Sequence, residues 1–381
     1  MSLPQRLQAI DALRGLVILI MMLDHVRETF YLQHQVSDPM HIADTETSLF
    51  FSRVLAHLCA PVFVLLTGVS AYLYQAKYNS LSMTRAFLLK RGLFLIFLEL
   101  IIINFAWTGK FPPDVIYLQV IWAIGLSMIA LAVLIGLAKK WLWALSLVII
   151  FGHNLLDDLS FAHLPVFNTL WLILHERGWI EVAGLFKIRT SYPVLPWIGV
   201  ITLGYCIASQ VFHTSISPKQ RNSYLLRFAL GCIALFLVFR FANFYGDYPW
   251  SSMLTFTESL MSFFNLTKYP PSLLFILWNV GLGLVLLVVL QKVETQRWIQ
   301  PLIVFGSVPM FFYIVHLYVL KGLYLLAVTW FGKNYGTYYG VNNVAMLWLI
   351  SLILSIVLYP LMVRFSAFKH QNKHIRILKY F

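Results

Sequence analysis

Apolar runs close to the roughly 20 residues that cross about 30 Å of hydrocarbon as a helix recur from one end of the chain to the other. They predict spans at 10–33, 54–76, 86–107, 115–137, 141–157, 192–212, 225–245, 272–291, 302–330 and 343–364. The polar breaks contain no internal repeat, no low-complexity tract and no hydrophilic linker long enough to divide domains. Residues 1–381 therefore read as a single transmembrane domain. The expected fold class is all-α, a polytopic membrane helix bundle of about ten or eleven transmembrane helices. The first span is too long for a signal-peptide core, carries Asp11, Arg14, Asp24 and His25, and lacks a small-x-small cleavage site, so it reads as retained.

The breaks alternate in charge. Arg6, the 77–91 cluster, Lys139, Lys140, Lys219, Arg221, Arg227, Lys292, Arg297 and the basic tail from Arg364 to Lys379 fall on one side, which the positive-inside rule makes the cytoplasm. Both termini are then inside. Of the acidic residues only Glu294 sits clearly with this set, whereas Asp38, Asp44, Glu46, Asp114, Asp157, Asp158, Glu176, Glu181, Asp247 and Glu258 fall in the opposite loops.

Composition agrees: 60% of the 381 residues are hydrophobic, only 11% are charged, and the mean hydropathy is +0.78, which excludes an ordinary soluble domain. A net charge of +13 follows from basic loops facing an anionic inner leaflet and needs no nucleic-acid partner. Cys59, Cys206 and Cys232 lie within apolar spans at no metal-ligand or disulfide spacing and read as packing residues, so no metal is expected. Of the outer segments, 158–190 mixes apolar residues with His163, His175 and Arg177 and reads as interfacial. In 246–271, Trp250 and Tyr269 suit either interface anchoring or stacking on sugars.

Ionisable residues inside a span are costly and mark functional candidates. They concentrate in the first helix. Asp11 and Arg14 stand three apart at its cytoplasmic end, where a structural ion pair explains them as well as a substrate contact does. Arg14 and His25 are eleven apart, close to three turns, so one face carries both about 16 Å apart along the axis. Asp24, Arg27 and Glu28 surround His25. The second span runs back with Arg53 and His57 near the same depth, followed by Pro61. Two imidazoles and a guanidinium at one level suit proton transfer, since imidazole titrates near neutrality. Glu99, Arg240, His316 and Lys321 are further intramembrane polar groups, with small residues and a proline between Gly306 and His316 that let helices approach or break.

The run Ile10-Asp11-Ala12-Leu13-Arg14-Gly15, continuing through Leu23-Asp24-His25-Val26-Arg27, and then Ala56-His57-Leu58-Cys59-Ala60-Pro61 to Gly68, resembles the heparan-α-glucosaminide N-acetyltransferase catalytic-domain family. The resemblance is strongest over residues 6–75, and Gly306–His316 looks like the family's late helix. The spacing of Arg14 and His25 is also similar to the arginine–histidine pair of the acyltransferase-three membrane enzymes. What the resemblance implies is an acetyl-CoA or other acyl-CoA donor bound from the cytoplasm, a path through the bundle, and transfer to an envelope glycan or small-molecule acceptor at the outer face. In the lysosomal enzyme of the family the position matching His25 looks like an asparagine, and its catalytic histidine falls in the outer loop after the first span. The nearest candidate here is His34, reached across a short gap.

The expected function is a membrane-embedded acyltransferase of a bacterial inner membrane, multi-pass, with membrane lipids and a second copy in a homodimer as further partners. His25, Asp24 and His57 are the expected catalytic residues, with His25 as general base oriented or polarised by Asp24 and with His57 and Arg53 binding or polarising the acyl group. Arg14, Asp11, Arg53, His34 and His316 are the expected substrate-binding residues. The alternatives are a transporter or flippase for an anionic or lipid-linked substrate, and a non-catalytic scaffold for envelope assembly; no second-half copy of the first helix's pattern supports the transporter.

Overall fold

The structure is a computed structural model that describes residues 7–182, 184–213 and 215–381; Arg6, assigned above to the cytoplasmic side, lies outside them. Helices dominate, and one lies at each of the ten expected places. In chain order they are α1 (Gln8–Phe30), α2 (Thr47–Ala56), α3 (Cys59–Tyr78), α4 (Leu81–Phe97) and α5 (Asn104–Thr108). Strand β1 (Val115–Leu118) precedes α6 (Val120–Leu134), α7 (Lys139–Gly152) and α8 (Pro165–Leu174). Strands β2 (Gly178–Val182) and β3 (Phe186–Thr190) are followed by α9 (Leu195–Val211), α10 (Pro218–Ala242) and α11 (Phe256–Phe264). The chain ends with α12 (Leu273–Val293), α13 (Gln300–Ser307), α14 (Pro309–Phe331) and α15 (Val344–Gln371).

Local sequence explains many of these boundaries. Ser217 with Gln220 and Thr255 with Glu258 form capping boxes at the starts of α10 and α11, and Asn343 caps α15 by accepting from the Met346 N–H. The expected span 302–330 is broken at Val308, because Pro309 lacks an N–H and disfavours helical geometry in the residue before it.

Among the described residues, five helical segments are long and apolar enough to cross a membrane: Thr47–Tyr78, Pro218–Ala242, Leu273–Val293, Pro309–Phe331 and Val344–Gln371. Two of them, Thr47–Tyr78 and Leu273–Val293, are 72% buried over their most apolar window, whereas Pro218–Ala242 is 22% buried and the last two are 28% buried. The outward faces of these latter three carry exposed apolar side chains, among them Val238, Phe241, Leu325, Ile356 and Val357. Apolar faces of that extent belong against lipid, and the protein is a membrane protein. Helix α1 is also long enough at 23 residues, but Asp11, Arg14, Asp24, Arg27 and Glu28 remove it from the apolar class.

Two compact units form. The first holds residues 60–250 and 266–288. Its helices cross closely where glycines meet: a Cβ on Gly68 would overlap the Ile201 carbonyl and one on Gly204 the Leu65 carbonyl, while Gly92 and Gly125 touch in the same reciprocal way. Residues 98–103 widen into a π-helical turn, and Asn104 satisfies the backbone there by donating to the Glu99 carbonyl at 2.8 Å and accepting from the Tyr117 N–H at 2.7 Å. Glu99, expected as an intramembrane candidate, accepts from the Trp122 N–H at 3.2 Å in the first turn of α6. Arg240 donates to the Tyr248 carbonyl at 2.8 Å and Trp250 Nε1 donates to the Arg240 carbonyl, so this candidate braces the loop after α10.

The all-helical expectation is corrected in this unit. Residues 115–118, the start of the fourth expected span, form β1, and 178–190 contribute β2 and β3, in the order β1-β3-β2 with β1 parallel and β2 antiparallel to β3. Pro112 and Pro113 precede β1, and Val-Ile-Tyr favours extended backbone, but an apolar average over twenty residues merges this strand with α6.

The second unit holds residues 7–59, 251–265 and 289–381. Its centre is the crossing of α1 with α13, where Gly15 lies against the Leu302 carbonyl and Gly306 against the Asp11 carbonyl, so neither position has room for a side chain. Glu294, the acidic exception on the basic side, accepts from the Ala9 N–H at 2.9 Å and caps the start of α1. Helix α11 covers α2 through a cluster of Met40, Phe50 and Met261. All eight expected site residues lie in this unit.

Candidate functional site

Two ends of α1 carry the candidate chemistry. At the N-terminal end Arg14 donates to Asp11 across 3.2 Å, with Arg14 about a fifth exposed and Asp11 buried. At the other end Asp24, His25 and Arg27 are each less than a tenth exposed. Successive helical residues differ by about 100° around the axis, so Asp24 and His25 face different neighbours. Asp24 faces α2 and His25 faces α14.

On the α14 side, His25 Nδ1 and His316 Nε2 are 2.7 Å apart, with the two rings within 4° of parallel. His316 Nδ1 lies 2.7 Å from the carbonyl of Phe312, one turn earlier. The Phe312 ring stacks on His316, and Tyr313 meets both imidazoles edge-on, at 5.6 Å from His25 and 5.5 Å from His316. His316 has no exposed surface. The positions 312, 313 and 316 share one face of α14 by the ordinary spacing of a helix, which is why one helix supplies both the second imidazole and the rings that hold it.

On the α2 side, Arg27 Nε donates to Asp24 Oδ1 at 2.9 Å, and Arg53 Nη1 stands 3.9 Å from the same oxygen. Arg27 also reaches Glu28 at 3.2 Å. A small, narrow cleft opens beside this group, with Asp24, Arg27, Ser52 and Arg53 as its polar lining and Leu23, Leu49 and Leu347 as its apolar one. Arg53 Nε is buried beside it without a hydrogen-bond acceptor among the described residues. Two guanidiniums crowd one carboxylate here, an arrangement that suits recognition of a polarised carbonyl or an anionic group.

His57 caps α2 at the bend into α3, is 2% exposed, and donates its backbone N–H to the carbonyls of Arg53 and Val54. His34 lies beyond the end of α1, exposed, with its ring against Tyr31 at 4.6 Å. The structure thus joins Asp11 to Arg14, Asp24 to Arg53 through the shared carboxylate, and His25 to His316. The sequence offers His316 as a substrate-binding residue and carries no sign of its pairing with His25 or of the part played by Phe312 and Tyr313. The contact spans 291 positions, for which no spacing rule exists. Arg27 was visible at three residues from Asp24, but its role beside Arg53 was not.

Residues 6–228 match the family model described as heparan-alpha-glucosaminide N-acetyltransferase, catalytic. The match contains Asp11, Arg14, Asp24, His25, His34, Arg53 and His57 and ends before His316. The comparison with curated proteins found no match to the chain. Because the matched segment exceeds half of the 381 residues, the chain belongs to the heparan-α-glucosaminide N-acetyltransferase catalytic family, a family of membrane acetyltransferases.

Proposed function

We propose that the whole chain acts as one catalytic domain that moves an acyl group, acetyl in the first instance, from cytoplasmic acyl-CoA to a sugar or other acceptor at the outer face of the inner membrane. The observation that carries this reading is the buried His25–His316 pair on the helix that also bears Arg14. A thioester needs little further activation, so positioning and one base suffice. His25 takes the proton from the acceptor's amine or hydroxyl as that atom bonds to the acyl carbon. The carbon–sulfur bond breaks, and the proton passes to the departing CoA sulfur. Direct transfer is preferred over an acyl-histidine intermediate.

Arg53 and His57 bind or polarise the acyl carbonyl, and Asp24 holds Arg53 in place. Arg14, oriented by Asp11, supplies positive charge on the donor's route, and His34 belongs to the acceptor's approach. Ten crossings with both termini inside put these groups on the required sides of the membrane. Membrane lipids and a second copy in a homodimer complete the expected partners.

Purified protein in lipid nanodiscs, supplied with acetyl-CoA and an amino sugar, tests the reading. Acceptor-dependent release of the free CoA thiol is expected, and His25→Ala should lose about 10²- to 10⁴-fold in turnover while acyl-CoA still binds. Full activity in a stable His25→Ala protein would overturn the assignment. Movement of an anionic solute into vesicles without acyl transfer would support the transporter instead.

A further inference from the structure

The directions of the hydrogen bonds around His316 follow from one group that only accepts. The Phe312 carbonyl has no proton, so His316 Nδ1, 2.7 Å away, carries one. A second proton on Nε2 would place a full charge on a side chain with no exposed surface, packed against Phe312 and Tyr313. With Nε2 holding a lone pair, the proton in the 2.7 Å contact belongs to His25 Nδ1. A neutral His25 then keeps its own lone pair on Nε2. Free histidine in water favours the opposite form, with the proton on Nε2, so the pair imposes the minority tautomer. Near-parallel rings and the edge-on Tyr313 add a fixed orientation.

We infer that His316 is a positioning residue that holds His25 in its Nδ1–H tautomer, so that His25 Nε2 is the proton acceptor in acyl transfer. The inference rests on the acyl-transfer reading above for its function, and on the bonding pattern alone for the tautomer. The chain of dependence runs from a backbone carbonyl of α14, through His316, to the outer end of α1, so catalytic competence at His25 depends on a helix about 290 residues away in sequence. When His25 receives the acceptor's proton at Nε2, its Nδ1–H stays bonded to His316, and the same proton leaves Nε2 for the CoA sulfur. No net change in protonation remains.

Ring-nitrogen magnetic resonance of the full-length protein, labelled with ¹⁵N-histidine and held in nanodiscs near pH 8, reads the tautomer directly. The His25 signals are identified by their absence in His25→Asn. In the wild type they should show a protonated Nδ1 and an unprotonated Nε2. His316→Gln, whose side-chain oxygen can accept in place of Nε2, should keep that pattern and most of the activity. His316→Leu should shift His25 to the Nε2–H form and lower kcat by about 10²- to 10⁴-fold, with KM for acetyl-CoA changed less than about threefold. An Nε2–H signal for His25 in the wild type, or an Nδ1–H signal that survives in a folded His316→Leu protein, would overturn the inference. Where His316→Leu does not fold, the wild-type and His316→Gln spectra decide. The spectrum reports the tautomer whether or not transfer occurs, so failure of the acyl-transfer reading and failure of this one are told apart.

Discussion

Asp24 shows how much one buried carboxylate can hold. It accepts from Arg27 and lies near Arg53, and all three are buried, so removing it leaves uncompensated charge inside the fold. Asp24→Ala should therefore cost about 3 kcal/mol or more, read from thermal or denaturant unfolding in detergent. Arg14 and Asp11 form the contrasting case. Arg14 is partly exposed, so Arg14→Ala should cost less than about 1 kcal/mol yet weaken acyl-CoA binding. An unchanged CoA affinity in a folded Arg14→Ala protein would remove Arg14 from the donor's route. Asp24 with Arg27, and Asp11 with Arg14, are legible in sequence because three residues bring side chains together on any helix. Arg53 is not, because its meeting with Asp24 depends on where α2 docks.

Helices meet in this protein at points where only glycine fits. Gly15→Val would drive a side chain into the Leu302 backbone and separate α1 from α13, at a cost of about 1–3 kcal/mol or more. Gly231, inside α10, is the control, because a Cβ added there would meet no atom within 4 Å. Gly231→Ala should leave stability unchanged or raise it by up to about 1 kcal/mol. Equal melting temperatures for both variants would refute the close crossing. The segment after α7 makes a different prediction. Asp157 lies past the helix, where His175 and Asn154 donate to it at 2.9 and 2.8 Å. Burial pulls its carboxyl upward, and these two bonds, together with the nearby His175 and His153 imidazoles, outweigh burial and hold it below the usual 3.8. A lowered folded-state value means that the stabilisation is present above pH 3.8 and is lost as pH falls through the folded value. The melting-temperature gap between the wild type and Asp157→Ala should thus narrow as the solution is acidified below that point.

At the scale of the whole molecule the prediction with the widest reach concerns sidedness. The distribution of Lys and Arg predicts both termini in the cytoplasm, with 34–53 and 158–190 outside. Single cysteines placed at Lys373 and Asp44 test it in intact cells, on a background without the three native cysteines. A membrane-impermeant reagent should label position 44 and spare 373, and the reverse pattern would invert the bundle and move His25 to the cytoplasmic side. Among the described residues, five segments meet the length and apolarity of a membrane crossing, and the others expected to cross are shorter or, like α1, too charged. Within α1 the polar side chains of Asp11, Asp24, His25 and Arg27 are buried against protein, where they are tolerated.

Membrane character, the presence of a helix at each of the ten expected places and the ends of several helices were legible in the sequence alone, because they depend on local quantities: apolar length, capping residues, prolines and the run of charge. The N-terminal motif likewise pointed to the family on its own. The strands were lost because a twenty-residue hydropathy average cannot see a period of two over four residues. Only the tertiary structure decided which polar residues meet. His25 finds His316 across 291 positions, Arg53 joins Asp24 and Arg27 beside one cleft, and Glu294 caps α1. Such contacts depend on the rotation of each helix about its axis and on the glycine crossings that fix it, and neither is encoded in the spacing of residues along a single helix.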